Sequence, residues 1–150
     1  MIDLLNFFDL ARCQMSSCLF LLSIKKNYDS MKFIINVLSS RLGGYLYSDD
    51  CAEIWRGAEY VMESLEDEVA FEQGETLSED FMEWAGYFYR YWSLKQNDTA
   101  KQILEYAPPS VLLQEYVGLH SISMDMAIEN LKHPEKYPFG GAIPELHLFD

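Results

Sequence analysis

Apolar residues recur at intervals of three and four along most of this chain, the period of an α-helix that lays one face against a core. Leu4, Phe8, Ala11, Met15, Cys18 and Leu22 make the first such stripe, which Lys25, Lys26 and Asn27 close. Asp29 or Ser30 offers a cap for a second helix through Met31, Phe33, Ile34, Val37 and Leu38, and the glycine pair Gly43 and Gly44 is expected to stop it. A third helix is predicted from Ser48 or Asp49 to about Phe71. Its inner face carries Ile54, Trp55, Ala58, Val61, Met62, Leu65 and Val69, and its outer face Glu53, Glu59, Glu63, Glu66 and Asp67.

Gly74 breaks the period, and Thr76 with Glu79 reads as a capping box for a fourth helix, about Ser78 to Gln96. Phe81, Ala85, Phe88 and Trp92 line its centre, with Trp84 and Tyr91 on one flank and Met82 and Tyr89 on the other. An apolar arc that wide is either covered on two sides or shows part of its aromatic surface. Shorter helices follow: one capped by Asp98 and running to Tyr106, one started by Pro109 through Val117, and one capped by Ser123 through Leu131. The expected architecture is all-α, a single compact bundle of about six or seven helices over residues 1–132. Residues 133–150 read as an extended tail broken by Pro134, Pro138, Gly140, Gly141 and Pro144. Tyr137, Phe139, Leu146, Leu148 and Phe149 make that tail too apolar for a solubilising arm, so it is expected to dock on the domain or on a partner.

Composition supports a folded body, since 49% of the 150 residues are hydrophobic and 15% aromatic. Charge then changes the picture. Thirteen of the 24 acidic residues lie between Asp49 and Glu83, where Arg56 is the lone base, so this stretch holds nearly all of the net charge of −13. Such a surface repels nucleic acid and anionic lipid and attracts cations. Glu59 with Glu63, Glu63 with Glu66, and Glu63 with Asp67 are like-charge neighbours on a helix, each costing about 0.2 to 0.5 kcal/mol. Interspersed lysines would remove that cost, so the face is read as a binding surface for a basic protein partner. The candidate partner-binding residues are Glu59, Glu63, Glu66, Asp67, Glu79 and Glu83, with Trp84, Tyr87, Arg90 and Tyr91 as the aromatic and arginine anchors that dominate interface energetics.

Candidate chemistry is sparse. Cys13, Cys18 and Cys51 form no CxxC pair, which fits a reducing cytoplasm better than a disulfide framework or zinc site. By the first stripe, Cys13 should be exposed and Cys18 buried. No basic leader is seen, and the uninterrupted apolar run from Cys18 to Ile24 is far shorter than the roughly 20 residues that span a bilayer. His120, His133 and His147 lack metal-ligand spacing, His120 reading as a partly buried structural residue, and no phosphate loop, GxSxG or HExxH occurs. No cofactor and no metal are expected. Glu63 and Glu66, followed by Asp80 and Glu83, are reminiscent of the carboxylate pairs that hold magnesium in all-α nucleoside triphosphate pyrophosphohydrolases. The second pair here is DxxE, however, and no basic cluster follows. That enzyme, and a nucleic-acid-mimicking inhibitor of a DNA-binding enzyme, stand as the alternatives.

The segments Glu59-Tyr60-Val61-Met62-Glu63 and Gly86-Tyr87-Phe88-Tyr89-Arg90-Tyr91-Trp92, with the start Met1 to Leu5, resemble small acidic bacterial proteins of toxin–antitoxin gene pairs. The likeness spans roughly residues 1–132 and rests on aromatic and structural positions. It implies an antitoxin or immunity type of role, binding and masking a toxin.

Overall fold

Nine α-helices supply the regular structure of the computed structural model, which describes residues 6–48 and 56–136. They are α1 (Phe7–Lys25), α2 (Ser30–Ser39), α3 (Arg41–Leu46), α4 (Ala58–Glu68), α5 (Glu79–Lys95), α6 (Ala100–Tyr106), α7 (Pro109–Gln114), α8 (Tyr116–Leu119) and α9 (Met124–Lys132), followed by a 3-10 turn at Pro134–Lys136. The fold is all-α, as the periodicity predicts. Expectations for Leu4, Cys51, Glu53, Ile54, Trp55 and the tail residues Tyr137, Phe139, Leu146, Leu148 and Phe149 lie outside the described residues.

Most helix starts are set by local chemistry. The side chains of Asn6, Asp29, Ser40, Ser78, Thr99 and Ser123 each accept a hydrogen bond from a first-turn amide. Two expected caps shift. Ser78 caps α5 in place of Thr76, and Thr99 with Gln102 forms the capping box of α6 in place of Asp98. Asp98 has other work: it accepts from the Trp92 indole at 2.8 Å and from Lys132 at 2.9 Å, tying α9 to the end of α5.

The helix count exceeds the expected six or seven because two stretches subdivide. Gly43 and Gly44 do not stop α2. Ser40 ends it and caps α3, in which Gly43 lies so close to the α2 backbone that a Cβ would fall 1.7 Å from the Val37 carbonyl oxygen. The stretch after Pro109 bends at Glu115 into α7 and α8. The acidic helix is also shorter than its charge pattern suggests: α4 starts after Gly57, at φ 91°, and ends at Glu68. The chain then runs extended past the α1–α2 turn, making an isolated antiparallel bridge between Tyr28 and Gln73, with Asp29 N–H donating to the Glu72 carbonyl at 2.8 Å.

At the centre, α5 is covered on several sides, and Phe81, Met82, Ala85, Phe88, Tyr89 and Trp92 are fully buried. Its main partner is α1, which packs on it through an unexpected face. Cys13, Ser16, Ser17, Leu19, Phe20 and Ser23 are the buried residues of α1, whereas Phe8 is 53% exposed and Cys18 is exposed. The thiol assignments are therefore reversed, and the first apolar stripe is divided: Met15 and Leu22 pack against the core, whereas Phe8 and Cys18 are left exposed. Gly86 explains this. A Cβ there would lie 2.7 Å from the Ser16 carbonyl oxygen and 2.9 Å from Ser17 Cα, so the two backbones meet where side chains are smallest. The serine hydroxyls buried by that approach are satisfied: Ser16 pairs with Tyr47 Oη at 2.6 Å, Ser17 donates to the Glu83 carbonyl at 2.7 Å, and Ser23 to the Phe20 carbonyl at 2.6 Å.

Candidate functional site: an acid-rimmed aromatic groove

The side of α1 left uncovered beside its close contact with α5 borders two adjoining clefts that share Cys18 and Leu21. The first, about 800 Å³, lies between α1 and the outer edge of α5 and α8. Leu21, Trp84, Tyr87 and Tyr116 form its apolar surface, and Asp80 and Glu83 its acidic border. The second, about 480 Å³, continues along α1 to the starts of α4 and α5, where Glu59 and Glu79 border it opposite Lys25. Among the described residues no lysine or arginine lines the first cleft. The lining residues run from Gln14 to Lys25, about 16 Å along α1 at 1.5 Å per residue.

Each wall has a reason to stand where it does. Trp84 stacks on Phe88 at 4.7 Å and meets Tyr116 edge-on at 5.4 Å, and Tyr116 in turn stacks on His120 at 4.3 Å. His120 is exposed, and its Nδ1 bonds the Tyr116 carbonyl oxygen at 2.6 Å, so it belongs to the cleft wall and not, as expected, to a partly buried structural position. Glu79 and Asp80 occupy the first turn of α5, where the helix dipole favours negative charge. Partial burial raises the Tyr116 hydroxyl above its usual pKa, and the negative charges of Asp80 and Glu83 raise it further, so these carboxylates bear directly on the cleft.

The ten residues singled out by sequence separate into three groups. Glu59, Glu79, Glu83, Trp84 and Tyr87 come together around the groove. Glu63 and Asp67 are exposed on α4 without lining it. Glu66, Arg90 and Tyr91 are engaged elsewhere. Glu66 accepts from Lys26 at 2.7 Å and from the Tyr28 hydroxyl; desolvation raises its pKa, but these two bonds outweigh it and leave the carboxyl below its ordinary range. Tyr91 donates to Asp125 at 2.9 Å. Arg90, 2% exposed, corrects its placement as a surface anchor: it donates to Ser93 Oγ and to the Ser48 carbonyl, both at 3.0 Å, and lies 5.8 Å from the centre of the Tyr47 ring. It holds α5 to the chain after α3 and presents nothing to a partner.

Part of the acidic excess is also explained within the chain. Glu68 accepts from the Arg41 and Leu42 amides at 2.7 and 2.9 Å, and those bonds hold its pKa down. Glu72 pairs with Lys32 at 3.2 Å. Pairing within the chain therefore accounts for Glu66, Glu68 and Glu72, and not for the groove carboxylates or the exposed Glu63 and Asp67.

Sequence reasoning missed Cys18, Leu21, Tyr116 and Asp80 as members of one surface. The available signal was the small-residue spacing of Cys13, Ser16, Ser17 and Ser23 together with Gly86, which marks the close-packed side of α1 and by subtraction its outward side. The magnesium pairs do not converge: among the described residues no three His, Cys, Asp or Glu side chains are grouped to hold a metal ion. Burial pushes the Cys13 thiol up to about 12, against an opposing pull from Arg90, which leaves it without thiolate reactivity. α1 is the one described helix long and apolar enough, by length and composition, to cross a bilayer.

No protein-family model matches the chain, and no curated protein or solved structure matches it either.

Proposed function

We propose that this protein is a non-enzymatic binder that masks a basic protein partner in the cytoplasm, in the manner of the antitoxins and immunity proteins its aromatic segments resemble. One observation carries the reading: an aromatic and aliphatic groove bordered by Glu59, Glu79, Asp80 and Glu83, with Lys25 the one lysine or arginine among its described lining residues. Aromatic surface supplies affinity once water is excluded, and single-sign borders supply association rate and partner choice. The partner-binding set is accordingly Glu59, Glu79, Glu83, Trp84 and Tyr87 from the sequence reading, joined by Asp80, Leu21 and Tyr116.

The nucleic-acid-mimic alternative needs an unbroken path of outward carboxylates. Internal engagement of Glu66, Glu68 and Glu72 interrupts the one along α4 and its extension, which counts against it. The test is direct binding between the purified full chain and the protein encoded beside it, by calorimetry across a salt series. Association that weakens steeply with salt is expected, together with relief of that protein's toxicity on co-expression. Salt-independent binding, or none, overturns the proposal.

A further inference from the structure

Resting on that reading, we infer that the element seated in the groove is a cationic amphipathic helix of about three turns, with an aliphatic stripe over Cys18 and Leu21 and arginine or lysine on both flanks. Length comes first, because the lining from Gln14 to Lys25 spans about 16 Å, three turns of helix. Backbone chemistry comes second. The described borders of the groove are helices whose interior amides and carbonyls are already paired, so among the described residues no strand edge stands there to receive an extended peptide. Recognition must run through side chains, which a helix presents on one face.

Charge fixes the sign. Asp80 and Glu83 line the α8 end of the groove together with Trp84 and Tyr116, residue types that take a guanidinium by ion pairing and cation–π contact. Glu59 and Glu79 stand at the other end, two carboxylates against the one charge of Lys25, and take a second cation. The other occupants carry the wrong charge. A second copy brings a net charge of −13, and residues 137–150 contain no lysine or arginine and two acids, Glu145 and Asp150.

The probe is a fluorescent 14-residue peptide with leucines at i, i+4, i+7 and i+11 and arginines on the flanks, read by anisotropy against the full-length protein. Two control peptides accompany it, one with the arginines replaced by glutamate and one with central prolines that forbid a helix. The arginine helix alone is expected to bind. Leu21→Lys, on a half-exposed surface, is expected to weaken it at least tenfold, as is the combination Glu59→Gln, Glu79→Gln, Asp80→Asn and Glu83→Gln. An equal change of charge away from the groove, Asp67→Asn, Glu72→Gln, Glu75→Gln and Glu105→Gln, is expected to cost less than about threefold, with circular dichroism melting confirming that each variant is folded.

Equal loss from both charge sets overturns the groove while leaving a basic partner standing. Equal binding of the proline peptide overturns the helix. Should the arginine helix fail to bind while the cognate protein binds, this inference falls and the proposed function survives; if neither binds, the function falls as well. A chain that is dimeric in solution and becomes monomeric with Leu21→Lys places a second copy in the groove and overturns the inference.

Discussion

The two long faces of α1 are built from opposite materials and used in opposite ways. The buried face is mostly small, with Cys13, Ser16, Ser17 and Ser23 around Leu19 and Phe20. The other carries Phe7, Phe8, Cys18 and Leu21 and is left wholly or partly uncovered, Phe7 being 75% exposed. Hydrophobicity alone would bury the second face. Volume decides otherwise: α5 brings Phe88, Tyr89 and Trp92 to the core, so its neighbour must contribute little bulk and approach closely at Gly86. The difference teaches that the more apolar side of a helix is its inner side only when the neighbour leaves room for it.

The comparison breaks first at Phe20, fully buried against Phe33 and Tyr89. Phe20→Ala is expected to cost about 3 to 5 kcal/mol in urea denaturation. Gly86→Val comes next, at about 2 to 3 kcal/mol, because its side chain would be driven into the Ser16 and Ser17 backbone. Ser17→Ala removes one donor to the Glu83 carbonyl and is expected to cost about 0.5 to 1.5 kcal/mol. Changes on the opposite face should be the smallest, with Phe8→Ser and Leu21→Lys moving stability by less than about 0.5 kcal/mol. Losses there equal to that of Phe20→Ala would show the face to be core.

A pH series sharpens the same contrast where α1 ends. Lys26, just past its last turn, is raised above its ordinary pKa by its bond to Glu66, whose own pKa lies below its ordinary 4.5. The folded value of Glu66 is depressed, so its contribution is complete above pH 4.5 and is lost as pH falls through that lower value. Wild type is therefore expected to exceed Glu66→Gln in melting temperature near neutrality and to converge with it in acid, by about 1 kcal/mol or less for so exposed a pair.

Much of the groove was legible residue by residue. Glu59, Glu79, Glu83, Trp84 and Tyr87 stood out by charge density and by aromatic crowding on a predicted helix. Assembly was not legible. Arg90 shares a stretch of helix with Tyr87 and Tyr91, yet it points inward to Ser93 and Ser48 because α5 is surrounded. Helical periodicity says which residues share a face, and it does not say which face a neighbour takes.

Periodicity and caps acted within one turn of chain, so the residues by themselves determined an all-α protein, most helix starts, and a −13 charge concentrated between Asp49 and Glu83. Tertiary structure decided which acids are paired within the chain, as Glu66, Glu68 and Glu72 are, and which border an open surface. It also decided that α1 shows its apolar side. The first outcome depends on where α4 and the chain after it lie against the α1–α2 turn, α2 and α3, and the second on the close approach of α1 to α5 at Gly86 on Ser16 and Ser17, residues far apart in the chain.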